Sequence, residues 1–231
     1  MSISGTALHF LDMRLPIFIN TCLMCGRPLL DAEQHLCTLC GLSLESPVFG
    51  PGEMLRRFGA EKHIAAHHSL FIYSHDEVPA AMIRAGKYND RPQYFATLGR
   101  LLAARLCISK ALTGVDALVP VPMHWVKQMR RGYNQTHIIA REISRLSHIP
   151  VVKALKARRS HAKLAGSSAR HRAAAVSGIF APVRPDVLAG KNVAIIDDVL
   201  TTGSTLTQAA RAAISAGAVS VITITLGTAP S

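Results

Sequence analysis

Residues 193–205 read Val193-Ala194-Ile195-Ile196-Asp197-Asp198-Val199-Leu200-Thr201-Thr202-Gly203-Ser204-Thr205. Four apolar residues lead into two adjacent carboxylates, a run of hydroxyls around one glycine, and the helical pattern of residues 206–216. The order is strand, loop, helix N-terminus. The first turn of a helix carries N–H groups without partners and a partial positive charge, so such a junction takes an anion readily. Gly203 lets the backbone approach that anion without a Cβ in the way, and Thr201, Thr202, Ser204 and Thr205 add hydroxyl donors.

Asp197 and Asp198 would repel a phosphate, so they need another purpose on the same ligand. Two acceptor-only carboxylates suit the vicinal hydroxyls of a ribose. A ribose 5-phosphate satisfies both halves of the stretch. With these residues in place, the stretch resembles the phosphoribosyl pyrophosphate (PRPP) motif of type I phosphoribosyltransferases: hydrophobic residues, Asp-Asp, then Thr-Thr-Gly-x-Thr.

On either side, strand and helix patterns alternate. Leu70-Phe71-Ile72-Tyr73 reads as a short strand, and residues 78–88 as a helix. Phe95, Leu98, Leu102 and Leu106 recur at helical spacing over residues 93–110, beside a core Cys107. Residues 115–122 form a strand feeding a proline-bounded loop, and a helix runs on to about Ser147 through Ile138, Ile139, Ile143 and Leu146. Further strands are expected at 151–155, 192–198 and 219–226, with a helix at 205–216. The alternation predicts an α/β fold with a doubly wound parallel sheet, and ligands at the carboxyl ends of its strands. Asp197 and Asp198 fall at such an end.

The N-terminal part differs. Cys22-Leu-Met-Cys25-Gly and Cys37-Thr-Leu-Cys40-Gly are two C-x-x-C-G knuckles with eleven residues between them. Four thiolates on two tight turns are the ligand set of a structural zinc ribbon, so Cys22, Cys25, Cys37 and Cys40 are predicted to hold Zn2+. A redox C-x-x-C would occur once, on a βαβ unit. His35, His63, His67 and His68 lack a partner set for a second metal. Pro47, Gly50, Pro51, Gly52 and Gly59 mark residues 42–60 as a linker. Leu8, Leu11, Leu15 and Phe18 suggest a short amphipathic helix broken at Pro16. The predicted domains are 1–60, with the ribbon and linker, and 61–231.

The 231 residues are 49% hydrophobic, enough for a sizeable core, and no apolar run reaches membrane-spanning length. No signal-peptide pattern is expected, and the cytoplasm is the default location. Lys plus Arg number 26 against 14 Asp plus Glu, a net charge of +12, which favours nucleic acid or phosphorylated small molecules as partners. Cations crowd into residues 56–57, 127–131, 153–163 and 170–172. Lys127, Tyr133, Arg158 and Arg159 are candidate contacts to a single-stranded nucleic acid, a basic surface with an aromatic ring for stacking.

The order of blocks carries a second resemblance. The knuckles, Gly86-Lys87-Tyr88, Pro120-Val121-Pro122-Met123-His124, Arg130-Arg131-Gly132-Tyr133-Asn134-Gln135 and the PRPP motif together resemble the ComF family of competence-associated proteins. The resemblance implies a type I phosphoribosyltransferase fold with a hood, plus the N-terminal zinc ribbon. It implies PRPP with Mg2+ as ligand, and a cytoplasmic link to DNA-uptake machinery in natural transformation, or to the use of DNA as nutrient. Asp197 and Asp198 would be the catalytic pair on the ribose, and residues 201–205 the 5-phosphate site. Val121 and Pro122 would lie in the loop that meets Mg2+-pyrophosphate, with Lys87, Arg130 and Arg131 as its cations. The segment 159–180 would be the hood; Ser160, Lys163-Leu164 and Ala175 depart from the family pattern there, so the resemblance carries PRPP binding further than turnover. The alternative is a single-stranded DNA-binding competence factor whose PRPP site senses a ligand without catalysis. A plainer third reading is a scaffold with a ribbon for docking.

Overall fold

The computed structural model describes residues 20–59, 61, 63–158 and 178–230. At its centre β5 (Asn192–Ile196) lies between β2 (Ala117–Pro120) and β7 (Ser220–Thr228), and β7 pairs on its far side with β1 (Ile64–Ile72). Every pair is parallel. A two-residue strand, β6 (Val199–Leu200), continues beside the end of β7, also parallel.

The apolar strands explain why both faces are covered. In β5, Val193 and Ile195 join one buried cluster while Ala194 and Ile196 join the other; in β2, Ala117 and Val119 face the first and Leu118 the second. Alternate side chains point to opposite faces, so an unbroken apolar run must be buried on both. One face packs on α3 (Val78–Tyr88), α4 (Pro92–Ile108) and α6 (Gln135–Ser147), through Met82, Ile83, Phe95, Leu98, Leu102, Ile139 and Ile143. The other packs on α7 (Ser204–Ser215), whose Ala209, Ala210 and Ala213 are fully buried and let the helix sit close to the sheet.

The helix expected at 78–88 runs Val78–Tyr88, and those expected at 93–110 and 205–216 lie within a residue or two of their predicted bounds. Three expectations differ. The strand predicted at Leu70–Tyr73 begins earlier, at Ile64, because Ala65, Ala66, His67 and His68 extend it alongside β7. The strand predicted at 151–155 is one bridge, Val151 to Leu118, followed by β3 (Leu155–Ala157), which pairs antiparallel with β4 (Phe180–Pro182). A short helix, α1 (Thr38–Leu42), carries Cys40, and the supposed linker contains a second helix, α2 (Pro51–Phe58). Pro and Gly punctuate loops, but Gly50 at the N-cap and Pro51 at the first helical position also start a helix, and Glu53 then pairs with Arg56 and Arg57 one turn on. Among the described residues no helix is long and apolar enough to cross a membrane. The amphipathic pattern at 1–19 and the hood residues 159–177, Arg159 among them, lie outside the described residues.

Candidate functional site

β5 ends at Ile196, and the next two residues are Asp197 and Asp198. The Asp197 N–H donates to the Ile224 carbonyl, which carries the chain to the carboxyl edge of the sheet. Asp197 Oδ1 accepts from the Asp198 N–H at 2.8 Å, and the Asp198 carbonyl accepts from Leu226 and Gly227. Both acids are held by backbone that local sequence and neighbouring strands determine together.

Their environments differ. Asp198 is buried; its Oδ2 lies 2.9 Å from Lys87 Nζ and accepts from Gln135 Nε2 at 2.8 Å. Gln135 Oε1 in turn accepts from Arg131 Nη1 at 2.7 Å, which fixes the amide orientation. Lys87 comes from the last turn of α3, Gln135 from the first of α6 and Arg131 from the last of α5 (Trp125–Arg131). Asp197 is half-buried. Burial first, then the neighbouring Asp198 charge, pushes its carboxyl up to about 7, against the pull of the Asp198 N–H and Lys87.

Downstream, Gly203 has φ +82 and caps α7 without a side-chain bond. Gly203 itself is buried, whereas Thr201, Thr202, Ser204 and Thr205 are exposed, and the Thr202 hydroxyl accepts from the Ser204 N–H at 3.4 Å across the N-terminal turn. An added Cβ at Gly203 would collide with the carbonyl oxygen of Arg57, on α2. The loop after β2 reaches the same edge. The Val121 N–H donates to the Ile196 carbonyl at 2.9 Å, and the Val121 carbonyl accepts from Thr136 Oγ1 at 2.7 Å and Asn134 Nδ2 at 3.1 Å. Val121 is thus locked between β5 and the N-terminus of α6, with Pro122 following half-buried.

The structure therefore brings together Asp197, Asp198, residues 201–205, Val121, Pro122, Lys87 and Arg131. Lys87 meets a carboxylate of the site itself. Arg130 and Lys127 are exposed on α5 with Trp125 and Met129. Tyr133 is turned inward: its ring meets Phe95 edge-on at 6.4 Å and its hydroxyl donates to the Gly86 carbonyl. Arg158 follows β3, its N–H bonded to the Ile179 carbonyl, away from α5 in sequence. Sequence reasoning assigned no role to Gln135 or Arg57. Gln135 sits inside a recognised block, which was the available signal; Arg57 had none, because its partners are distant in the chain.

A second site lies at the knuckles. The ligand atoms of Cys22, Cys25, Cys37 and Cys40 all fall within 4.8 Å of one another, and Cys25 and Cys37 sulfurs are 3.8 Å apart. Tetrahedral Zn–S bonds of about 2.3 Å imply S···S separations of about 3.8 Å, so this donor set fits zinc. Cys22 Sγ accepts from the Cys37 N–H at 3.3 Å and Cys37 Sγ from the Cys40 N–H at 3.4 Å. Burial raises the Cys22 thiol, but the N–H groups of Cys25, Cys37 and Met24 outweigh it and draw the thiol down to about 6. The cysteines are not set apart from the sheet domain: Cys22, Leu36, Cys37 and Leu44 belong to the same apolar cluster as Leu98 and Leu102 of α4.

Residues 129–231 match the phosphoribosyl transferase domain family, and the parallel sheet flanked by helices is the type I phosphoribosyltransferase fold. The chain is 30% identical over 200 residues to competence protein F of Haemophilus influenzae, covering 81% of this chain and 87% of that one. It is 26% identical over 215 residues to DNA utilization protein YhgH of Escherichia coli K12, covering 90% of this chain and 91% of that one. Competence protein ComFC of Bacillus subtilis is 23% identical over 209 residues, 90% of this chain and 83% of that one.

Proposed function

The chain belongs to the ComF family of competence-associated, phosphoribosyltransferase-like proteins, and on that premise we propose that it binds PRPP at the carboxyl end of β5. The 5-phosphate takes the N-terminal turn of α7 and the hydroxyls of residues 201–205. Asp197 meets the ribose hydroxyls, with Asp198 behind it. The diphosphate lies toward Val121 and Pro122, and Arg130 and Arg131 approach from α5. The observation that carries this reading is the continuity of acid pair and anion loop: Asp197 and Asp198 lead within a few residues to a buried, left-handed Gly203 that leaves four hydroxyl residues exposed.

The reaction suited to this arrangement breaks the bond from ribose C1 to the diphosphate oxygen and forms one from C1 to a nucleophile, commonly a ring nitrogen of a base. The electron pair of the broken bond leaves with the diphosphate. Carboxylates beside the ribose favour the cationic character that develops at C1, and cations beside the diphosphate favour its departure. Mg2+ would arrive on the diphosphate and supply further neutralisation there. No side chain need form a covalent intermediate.

Zn2+ held by the four cysteines closes a structural site with no open position, so its contribution is folding. The relatives' printed names concern competence and DNA utilization. Under this proposal the protein works in the cytoplasm on DNA taken up by the cell, either for transformation or as nutrient. A second reading has one specific observation in its favour. Helix α5 buries none of its residues and presents Trp125 and Met129, 52% and 74% exposed, among Lys127, Arg130 and Arg131. That surface suits a single strand, with Trp125 to stack on an unpaired base.

Calorimetric titration of the zinc-loaded protein with PRPP and Mg2+ tests the first reading, with Asp197→Asn/Asp198→Asn as control. Binding that the double variant abolishes supports it; a folded wild-type protein that binds no PRPP overturns it. Single-strand affinity that falls with salt by a log-log slope of roughly −0.7 per neutralised phosphate supports the second. Affinity indifferent to salt would count against α5 as the DNA surface.

A further inference from the structure

We propose that Arg57, on the helix between the four-cysteine segment and the sheet, is a positioning residue for the 5-phosphate loop. The inference rests on the PRPP reading above. Arg57 contacts no ligand position; it acts through the backbone of residues 201–203.

Its guanidinium is committed on all sides. Nη1 donates to the Thr201 carbonyl, Nη2 to the Ala229 carbonyl at 2.6 Å, and Nε to Glu53 Oε1 at 2.7 Å. The side chain is 9% exposed; its bonds to Ala229 and Glu53 are part-buried, and the bond to Thr201 lies at the surface. Ala229 donates its own N–H to the Leu200 carbonyl at 2.8 Å, so Arg57 ties together two chain segments that already touch at the loop entrance. The Arg57 carbonyl also occupies the space a Gly203 side chain would need, and Phe58 is buried in the same cluster as Leu200 and Leu206, which flank the loop. Side chain, carbonyl and next residue thus press on the loop from behind.

The consequence is directional. A carbonyl aimed at the bound anion would repel it, and Arg57 engages the Thr201 carbonyl from the protein side. The hydroxyl residues of the loop, Thr201, Thr202, Ser204 and Thr205, are left exposed. Glu53 holds the guanidinium in register, since Arg57 lies one turn beyond it on α2.

The test separates the two ends of the ligand. Full-length, zinc-loaded wild type, Arg57→Ala and Arg57→Lys are titrated calorimetrically with ribose 5-phosphate and, separately, with pyrophosphate and Mg2+. Melting temperature is measured for each protein. Losing charge-assisted anchors should weaken ribose 5-phosphate by about tenfold or more in Arg57→Ala while pyrophosphate stays within about twofold. Arg57→Lys keeps the charge but cannot span both carbonyls, so it should show the same selective loss, smaller in size. It is the variant to read if Arg57→Ala does not fold. Unchanged ribose 5-phosphate affinity in a folded variant overturns the proposal. So does an equal weakening of both ligands that follows the fall in melting temperature, which would make Arg57 a purely structural anchor. A wild-type protein that binds neither ligand sinks the PRPP reading first, and the inference with it.

Discussion

Lys87 Nζ lies 2.9 Å from Asp198 Oδ2, and that same oxygen accepts the amide of Gln135. The inner carboxylate of the Asp-Asp pair is therefore answered from within the fold, while Asp197 keeps its access to the site. The two acids are adjacent in sequence and unlike in surroundings. Asp198 anchors α3 and α6 to the end of β5, and Asp197 lies half-buried beside it.

Removing the cation alone should be costly. Lys87→Met leaves a buried carboxylate with only an amide partner and should destabilise the protein by about 1–3 kcal/mol, less than a fully buried pair because Lys87 is partly exposed. Lys87→Met/Asp198→Asn should recover part of that loss. Urea unfolding of the four members of the cycle measures the coupling; additive effects would show that the pair contributes nothing.

Asp197 and the buried His67 give opposing dependences on pH. Asp197 titrates near 7 when folded, above its unfolded value, so folding binds a proton and its contribution to stability falls as pH rises through that window. His67 is held by Thr223, Thr225 and Thr228, and burial draws its imidazole down to about 3. Folding there releases a proton, so stability from His67 is present above its unfolded value near 6.5 and is lost on acidification, at up to about 1.4 kcal/mol per pH unit. Asp197→Asn removes one slope and leaves the other. The variant should be more stable than wild type at pH 8, and should lose more melting temperature than wild type between pH 6.5 and 5. Parallel curves for the two proteins would contradict the Asp197 assignment, and a variant whose melting temperature does not fall between pH 6.5 and 5 would contradict that of His67.

Gly203→Ala combines a positive φ with a Cβ that collides with the Arg57 carbonyl. It should cost about 2 kcal/mol or more and displace α2 from the loop. Gly132→Ala is the comparison, since Gly132 also has positive φ but nothing within 4 Å of an added Cβ; it should lose only about 1 kcal/mol. Equal losses by chemical denaturation would mean that the contact with α2 is not a constraint.

Metal removal should reach beyond the knuckles. Arg105 of α4 donates to the carbonyls of Gly41, Leu44 and Leu70, and His35 Nδ1 lies 2.9 Å from Thr97 Oγ1 on the same helix. Chelating zinc should therefore lower the melting temperature of the whole protein, by on the order of 10 °C, in one cooperative transition. A separate low-temperature transition, with the main one unmoved, would show that the cysteine segment folds independently.

The amino-acid sequence by itself determined the local parts of this protein. Val193 to Ile196 must be a doubly buried strand because no residue in the run is polar, and Gly203 with its hydroxyl neighbours must open a helix. The paired knuckles draw four sulfurs together over a short segment. Each follows from backbone conformation and side-chain period, which act over a few residues. The start of β1 and the helix α2 were less legible: His67 and His68 interrupt an apolar pattern, and the Pro51-Gly52 pair reads equally as a loop or a helix entrance.

Only the tertiary structure decided what stands behind those parts. Gln135 lies 63 residues from the Asp198 it bonds, and Arg57 lies 144 residues from the Thr201 it holds. A lysine, a glutamine and an arginine have no local signature for such roles, since each suits a solvated surface equally well in sequence. Their partners exist only after the sheet has brought β5, α3, α6 and α2 to one edge, because hydrogen bonds and ion pairs form over a few ångströms of space irrespective of separation along the chain.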